Sequence, residues 1–548
     1  MRRIQTSSRG TPKTYSSIKE ALINGKGFLY DCYYLSKEGV KVENRVIAKQ
    51  PIWIDQELCD LETGLIKVEV KFCRRERYHS ITLPYEEIMN HSPKKLMAMG
   101  LPILPKYWSD LQDYLARQIE ESSLGIISKT IGWQRVGEKW HYLLQSERQL
   151  YCIENPLFHL KQKGSYEAWY ADYCQYIRGN LDLELLVLFG LCPVVIGYTP
   201  VAEQLDLEPF VLHLYGDSSS GKTTTLMLLI SMYSSPTITE PKGLFRSHSS
   251  TINALTKLGN LQGVLVGLDD SAASQNLDYT NFIYRIANSV DKFRLNSASE
   301  LQETDTFKVV IFSTGEAPLG KGNQSGSFVR LLQLTDLTLT QSVTHSQAIK
   351  RMASTNYGFL AKKLAQHLQQ MDISQIVERI QFYSQYLLKE VPIENSKVQR
   401  IILRFSVVLF IGEILNELDF NISIDQITLK LTELLKREAI KLDILMVAYP
   451  LIRGYIESMQ TQFKINGCLR NGHQVVLGKI DKMENKYYRV RMTEQQFKTM
   501  LTSLNLPSER SILKEMKKRG LLVGCEKDRL YLRSNGGKYA SFRIKLDL

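Results

Sequence analysis

The sequence is short of the features that mark secreted, zinc-bound or membrane-spanning proteins. Its eight cysteines (Cys32, Cys59, Cys73, Cys152, Cys174, Cys192, Cys468 and Cys525) stand singly, with no Cys-x-x-Cys pair. No histidine lies at ligand spacing from another, so a zinc site is not expected, and the same scatter argues against a disulfide framework. The longest apolar run, 185–196, is about twelve residues and contains Pro193; it is too short to cross a bilayer and reads as a buried helix. The opening MRRIQTSSRGTPKTYSS is basic and polar but lacks the apolar core of a signal peptide. No low-complexity arm or internal repeat is present. Together these point to reduced thiols, a cytoplasmic location and no membrane partner.

Acidic residues are scarce in one part of the chain only. Residues 464–548 hold 19 lysines and arginines against 8 acids, whereas the preceding 463 residues are nearly balanced at 50 against 49. Almost all of the net charge of +12 therefore lies in the last sixth of the chain. Such clustering is the electrostatic footprint of a domain that meets nucleic acid.

At 548 residues the chain is too long for one hydrophobic core, and three or four domains are expected. Residues 28–82 alternate apolar and polar positions, as in Leu65-Ile66-Lys67-Val68-Glu69-Val70-Lys71-Phe72 after the turn-like Glu62-Thr63-Gly64. That pattern predicts a small β-rich domain; its tyrosines Tyr30, Tyr33 and Tyr34 receive no role. Helical periodicity covers 85–121, and GWQRVGEKWHYLL predicts a strand pair turning at Gly137-Glu138. Further helices are expected over 164–196. Strands over 210–215, 263–268 and 308–312 alternate with helices after the first and over 277–288, the rhythm of a parallel sheet. From 344 to 462 the apolar positions keep a helical period.

The segment GDSSSGKT, Gly216 to Thr223, fits the phosphate-binding pattern G-x-x-x-x-G-K-[ST] and lies between a strand and a helix. Gly216 and Gly221 let the backbone curl so that the N–H groups of Asp217, Ser218, Ser219, Ser220 and the following residues can face phosphate oxygens. The next helix, entered through Thr223 and Thr224, adds the positive end of its dipole. Lys222 would reach the β- and γ-phosphates and Thr223 would give a hydroxyl to Mg²⁺. Val264-Leu265-Val266-Gly267-Leu268-Asp269-Asp270 reads as the companion strand, with Asp269 lying 47 positions beyond Lys222. Asp269 would hold Mg²⁺, and Asp270 would polarise the attacking water of ATP hydrolysis.

With YGDSSSGKTTTLMLLISMY, SSTINALTKLGNLQGVLVGLDD, FKVVIFSTGE and the Ile131-Gly132-Trp133 opening on the page, the chain resembles a helicase-like AAA+ family of bacterial mobile elements and phages. That family includes the cassette chromosome helicases of staphylococcal elements, is related to minichromosome-maintenance (MCM) helicases, and has long been catalogued as a domain of unknown function. The similarity spans about 131–417. It implies a homo-hexameric ring, ATP-driven movement along DNA, Mg²⁺ as cofactor, replication partners, and a role in replicating the element. It also implies a sensor at Ser313 or Thr314, an arginine finger at Arg330 reaching the neighbouring subunit, a second sensor at Arg400 or Arg404, and a pore hairpin bearing Lys292 and Arg294 on single-stranded DNA. The family generally ends its companion strand in Asp-Glu; here the pair is Asp269-Asp270, one methylene shorter.

The C-terminal segment predicts a winged helix on duplex DNA. MTEQQFKTMLTSL forms one helix, and residues 508–519, opened by Ser508 and ended by Gly520, form the second. Ile512, Leu513 and Met516 would be buried, leaving Arg510, Lys514, Lys517 and Lys518 for a groove. Residues 530–533 and 539–545 would flank a wing at Ser534-Asn535-Gly536-Gly537. The expected architecture is multidomain α/β: a β-rich module with following helices (1–122), an AAA+ ATPase core with parallel sheet (123–343), a helical lid (344–463) and a basic winged helix (464–548). The expected function is an ATP-dependent DNA helicase; the competing readings are a helicase loader and a nucleotide-switched DNA-binding initiator.

Overall fold

A computed structural model describes residues 28–36, 39–75, 77–147, 151–248, 257–271, 279–288, 306–319, 329–391, 396–469, 476–483, 487–504, 506, 508–526, 529–534 and 537–547. It is a mixed α/β chain that divides into two compact units, one of residues 1–161 with 259–261 and one of the remainder.

In the first unit, β1 (Phe28–Ser36) and β2 (Gly39–Ala48) form a hairpin. A separate sheet has the order β5-β4-β3-β6-β9, with β3 at Ile52–Asp60, β4 at Ile66–Arg74, β5 at Arg77–Pro84, β6 at Leu124–Ser128 and β9 at Tyr151–Ile153. The alternation in IKVEVKFCR buries Val68, Val70 and Phe72 on one face. They pack on Leu111, Tyr114, Leu115 and Ile119 of α1 (Trp108–Glu121). The expected helix over 85–121 is broken into Tyr85–Met89, Lys94–Ala98 and α1. Pro93, Pro102 and Pro105 interrupt it, because proline lacks the N–H that a continuous helix needs. The Gly137 turn joins β7 (Ile131–Val136) to β8 (Lys139–Leu143), and Gly137 has φ +60°. Both strands lie within the first unit's residues, so that unit runs well past 122.

The second unit opens with α2 (Tyr166–Tyr176) and α3 (Leu181–Gly197). Helix α3 is apolar all round and almost wholly buried, which is where such a helix belongs. A Cβ on Gly197 would lie 2.3 Å from the Gly263 backbone, so glycine is required at this crossing. No single helix among the described residues is long and apolar enough to cross a membrane.

Five strands of this unit are parallel: β10 (Phe210–Tyr215), β11 (Phe245–Ser247), β12 (Leu261–Asp269), β13 (Lys308–Gly315) and β14 (Leu331–Leu334). Their order is β14-β10-β13-β12-β11. From β10 the chain crosses to the far edge strand β11, returns through β12 to β13 beside β10, and then crosses to β14 on the other side. The crossovers on either side of β10 run in opposite directions, which leaves a crevice at its carboxyl end. Helix α4 (Lys222–Ser231) follows β10, and α5 (Tyr279–Ala287) follows β12. A helical bundle comes next: α6 (Val343–Thr355), α7 (Leu360–Gln370), α8 (Ile373–Glu390), α9 (Ser396–Glu417) and α10 (Ile424–Leu442).

The C-terminal fold has its own core. Leu445, Ala448, Ile452 and Ile456 of α11 (Ile444–Ser458) pack with Phe497 and Met500 of α12 (Glu494–Ser503) and with Ile512, Leu513 and Met516 of α13 (Glu509–Lys518). The expected start of this domain at 464 leaves out α11; helical period alone does not tell which core a helix joins. Its sheet has the order β16-β15-β17-β18-β20-β19, from Phe463–Ile465 (β15), Cys468–Leu469 (β16), Gly478–Lys482 (β17), Tyr487–Thr493 (β18), Leu532–Ser534 (β19) and Gly537–Lys545 (β20). The wing residues 535 and 536 lie outside the described residues.

Candidate active site

The loop Gly216–Gly221 leaves the carboxyl end of β10 with φ +147° at Gly216, +64° at Ser219 and +94° at Gly221. Two of these three left-handed positions are glycine, where they carry least strain. The curl brings the Lys222 ammonium back over its own loop, donating to the carbonyl of Gly216 at 3.0 Å and to Ser220 Oγ at 3.2 Å. Asp217, Ser218 and Ser219 are exposed at the tip, and the Ser218 hydroxyl donates to the Glu316 carboxylate.

At the second residue of α4, the Thr223 hydroxyl donates to Asp269 Oδ1 at 3.1 Å and Oδ2 at 3.2 Å. Asp269 also accepts from Thr314 Oγ1 at 2.5 Å, and that same oxygen accepts the Asp270 amide at 3.2 Å. Thus α4, β12 and β13 bring one threonine, two aspartates and a second threonine to one spot. Asp270 is exposed and held at φ +59°, off the end of the strand.

Ser313 and Thr314 part company here. Successive side chains on a strand face opposite ways, and Thr314 is the one beside Asp269. Ser313 turns into a buried chain of hydrogen bonds: His213 Nδ1 lies 2.9 Å from its Oγ, and His248 Nε2 2.8 Å from it. The other nitrogen of His213 lies 2.9 Å from the Ala317 carbonyl. A carbonyl can only accept, so His213 Nε2 carries the proton. Burial holds both rings neutral, with pKa values pushed down to about 4. His213 Nδ1 therefore accepts from Ser313, and Ser313 accepts from His248 Nε2. The remaining nitrogen of His248 faces the Tyr279 hydroxyl at 3.5 Å. Neither histidine was singled out by the sequence reading, since a lone histidine on a strand carries no spacing signal.

A polar cavity of about 590 Å³ opens beside the loop. Gly221, Lys222, Thr223 and Thr224 line one side; Thr340, Ser342, Ser346, Gln347 and Lys350, from the start of α6 and the turn before it, line the other. The Thr224 and Ser346 hydroxyls meet at 2.7 Å. The α6 residues were likewise not foreseen, as nothing in their spacing marks them.

The arginines are differently disposed. The Arg330 guanidinium lies 5.0 Å from the ring centre of Tyr284 on α5. Arg400 pairs with Glu208 at 3.6 Å, just before β10 begins. Arg404 is buried over Phe210, the first residue of β10, and donates to the Val329 carbonyl; burial lowers its pKa to about 10. Both therefore sit at the amino end of β10, opposite the phosphate loop. Arg400, expected at the nucleotide, is thus held by Glu208 away from the phosphate loop of its own chain. Lys292 and Arg294 lie outside the described residues.

In the C-terminal fold, Ser508 caps α13 by accepting the Ser511 amide, and Gly520 follows the helix at φ +65°. Ile512, Leu513 and Met516 are buried, Arg510, Lys514 and Lys518 are exposed, and Lys517 is half-buried. Arg519 pairs with Asp443 at 2.6 Å, fastening the end of α13 to the start of α11.

Residues 22–305, more than half of the chain, match the model of the family described as "Domain of unknown function (DUF927)". The chain belongs to this family. Residues 443–540 of this DUF927 member also match the "Cch helix turn helix domain", a span that begins with α11. Among solved structures it is similar to "SCCmec type IV Cch - active helicase", at a TM-score of 0.75 and 20% identity, covering 93% of this chain and 97% of that one. At that identity the likeness is one of fold. A comparison with curated proteins finds no match.

Proposed function

We propose that the chain is an ATP-dependent DNA helicase, with an AAA+ core in the second unit, a helical lid over 343–442 and a winged helix that begins at α11. The observation that carries this reading is the meeting of Thr223, Asp269 and Thr314 beside a phosphate-binding loop, at the crevice of a β14-β10-β13-β12-β11 sheet. One hydroxyl and one carboxylate suit Mg²⁺, which takes its other ligands from phosphates and water. When bound, the metal would neutralise charge on the phosphates.

The roles of the chain's own residues follow. Backbone amides of 217–221 and the α4 amino end face phosphate oxygens, and Lys222 exchanges its loop carbonyls for the β- and γ-phosphates. Asp270, exposed and beyond the metal pair, accepts the proton of the attacking water. Thr314 orients that water, a task Ser313 is turned away from. Arg330 acts on a neighbouring subunit's γ-phosphate in a homo-hexameric ring. The α13 cations meet duplex phosphates, and the helicase fold of the neighbour supports DNA as partner. Replication of a mobile element is the role this activity would serve.

Strand displacement on a forked duplex, measured alongside ATP turnover, tests the reading. A helicase does both, and Lys222→Ala abolishes both. Turnover without displacement indicates a loader or remodeller; DNA binding without turnover indicates a switched initiator.

A further inference from the structure

The C-terminal sheet has a second surface that the winged-helix reading leaves unused. Ile480, Val490, Met492, Phe542 and Ile544 point inward, into the core shared with α12 and α13. By strand alternation the intervening residues face away from both helices. Those residues are Lys464 on β15, Lys479 and Asp481 on β17, Tyr487, Arg489 and Arg491 on β18, and Ser541, Arg543 and Lys545 on β20, of which Ser541 is wholly buried. Six of the nine are cations and one is an acid.

Their register makes the imbalance sharper. Arg489 stands directly opposite Arg543, and Lys479 directly opposite Arg491, with Lys464 beside Lys479 on the next strand. Like charges on one rung oppose sheet formation. The face's one acid, Asp481, pairs with Arg491 at 2.6 Å. Arg489 is laid across the sheet instead, donating through Nε to Ser541 Oγ at 3.1 Å. The Tyr487 ring is embedded among the cations, with Arg543 at 5.6 Å and Lys545 at 5.2 Å from its centre. Two like-charged rungs make this a surface completed by an external anion, and an aromatic ring set among cations is the composition that holds unpaired strands.

We infer that the outward face of β17, β18 and β20 binds single-stranded DNA, on the face of the sheet opposite its packing with α12 and α13 and bordered by the segment 520–524 that leaves α13. This rests on the helicase reading for the source of the single strand and on the α13 assignment for the duplex. The domain then grips a fork on both sides of its junction: duplex on its helices, one separated strand on its sheet.

The test uses the full-length chain without nucleotide, so that it does not depend on ATP turnover or unwinding. Binding of a single-stranded oligonucleotide and a blunt duplex is followed by fluorescence anisotropy across a salt series. The double substitution Arg543→Glu with Lys545→Glu should weaken single-strand binding and lower its log–log salt slope by about 1.4, at about 0.7 per lost phosphate contact. Blunt-duplex binding should be unchanged. Lys514→Glu with Lys518→Glu on α13 should do the reverse. Arg543→Glu sets a carboxylate opposite Arg489, so Tm should hold or rise, which separates lost binding from lost folding. Photo-crosslinking of 5-iodouracil single strands should map to β18, at or beside Tyr487. Equal loss on duplex and single strand, an unchanged salt slope, or crosslinks confined to other parts of the chain would overturn the inference. If the strand binds here but no unwinding occurs, the helicase reading fails and this one stands.

Discussion

The hydroxyl of Thr223 donates to both carboxylate oxygens of Asp269, at 3.1 and 3.2 Å, across the gap between α4 and β12. The two residues are 46 apart in sequence and on different elements, and under the proposed function they would be the oxygen pair offered to a Mg²⁺ ion with phosphate ligands. Thr223→Val should therefore raise the Mg²⁺ concentration needed for half-maximal ATPase activity, because one of the two protein oxygens is gone. A Mg²⁺ titration of turnover at saturating ATP measures this. An unchanged midpoint would remove Thr223 from the metal site.

Thr314 and Ser313 make opposite predictions. Thr314→Val deletes the hydroxyl that touches Asp269 and the Asp270 amide. It should lower kcat by roughly 10²-fold, the scale seen when one preorganised donor is lost, and leave KM for ATP nearly unaltered. Ser313→Ala should act on stability first, because it breaks the bridge between two buried histidines. Steady-state kinetics and thermal melts on both variants decide the assignment.

Asp270 is tested by charge and by length. Asp270→Asn should bind ATP and fail to turn it over, since an amide cannot accept the proton of water. Asp270→Glu restores the methylene that the family generally carries and should match or exceed wild-type turnover. A glutamate variant that is inactive would show that the left-handed position at φ +59° is built for the shorter side chain.

The histidine pair predicts the acid limb of stability. Both rings are held neutral down to about pH 4, whereas in the unfolded chain they protonate near 6.5. Between those values the unfolded state binds more protons, so stability rises with pH across that window and is lost as pH falls through it. Urea midpoints measured from pH 7 to pH 4 should drop, and His248→Gln should flatten part of the drop.

Arg330 joins chemistry to assembly. If it acts on a neighbour, Lys222→Ala and Arg330→Ala are each inactive alone, and mixed rings recover ATPase activity at interfaces with an intact loop and an intact finger. Loss of such a finger lowers the rate by about 10³–10⁵, so partial recovery stands clear of background. Mixed rings of confirmed size without recovery would assign Arg330 to its contact with Tyr284 in its own subunit.

The strand–loop–helix of 210–231 was legible because the loop's glycines and Lys222 keep a short, fixed spacing within one stretch of chain, and the strand ending at Asp269 because its apolar run stops at two acids. So was the buried face of α13, since Ile512, Leu513 and Met516 recur at helical period. What escaped depends on partners distant in sequence. Strands β11 and β14 have three and four residues, too few to display a period. Adjacent Ser313 and Thr314 must face opposite ways, but only the pairing of β13 with β12 says which faces Asp269. Arg400 and Arg404 lie one helical turn apart, and both are drawn to the amino end of β10 by Glu208, Phe210 and Val329, none of which their own segment reveals. The run YYRVRMT of β18 does alternate, yet no strand was expected over 463–491, so the sheet it belongs to went unseen.

Between α10 and α11 there is one residue, Asp443. Its carboxylate is fully engaged, accepting the amides of Leu445 at 3.0 Å and Met446 at 3.2 Å and pairing with Arg519 at 2.6 Å. The single-residue joint works as a pivot with a latch. A tilt of the bundle must pass through two backbone dihedrals, and while the latch is closed it swings α11 and α13 together. Because α11 and α13 also share a hydrophobic core, they follow such a tilt as one body, and the ion pair pins their ends at the joint itself.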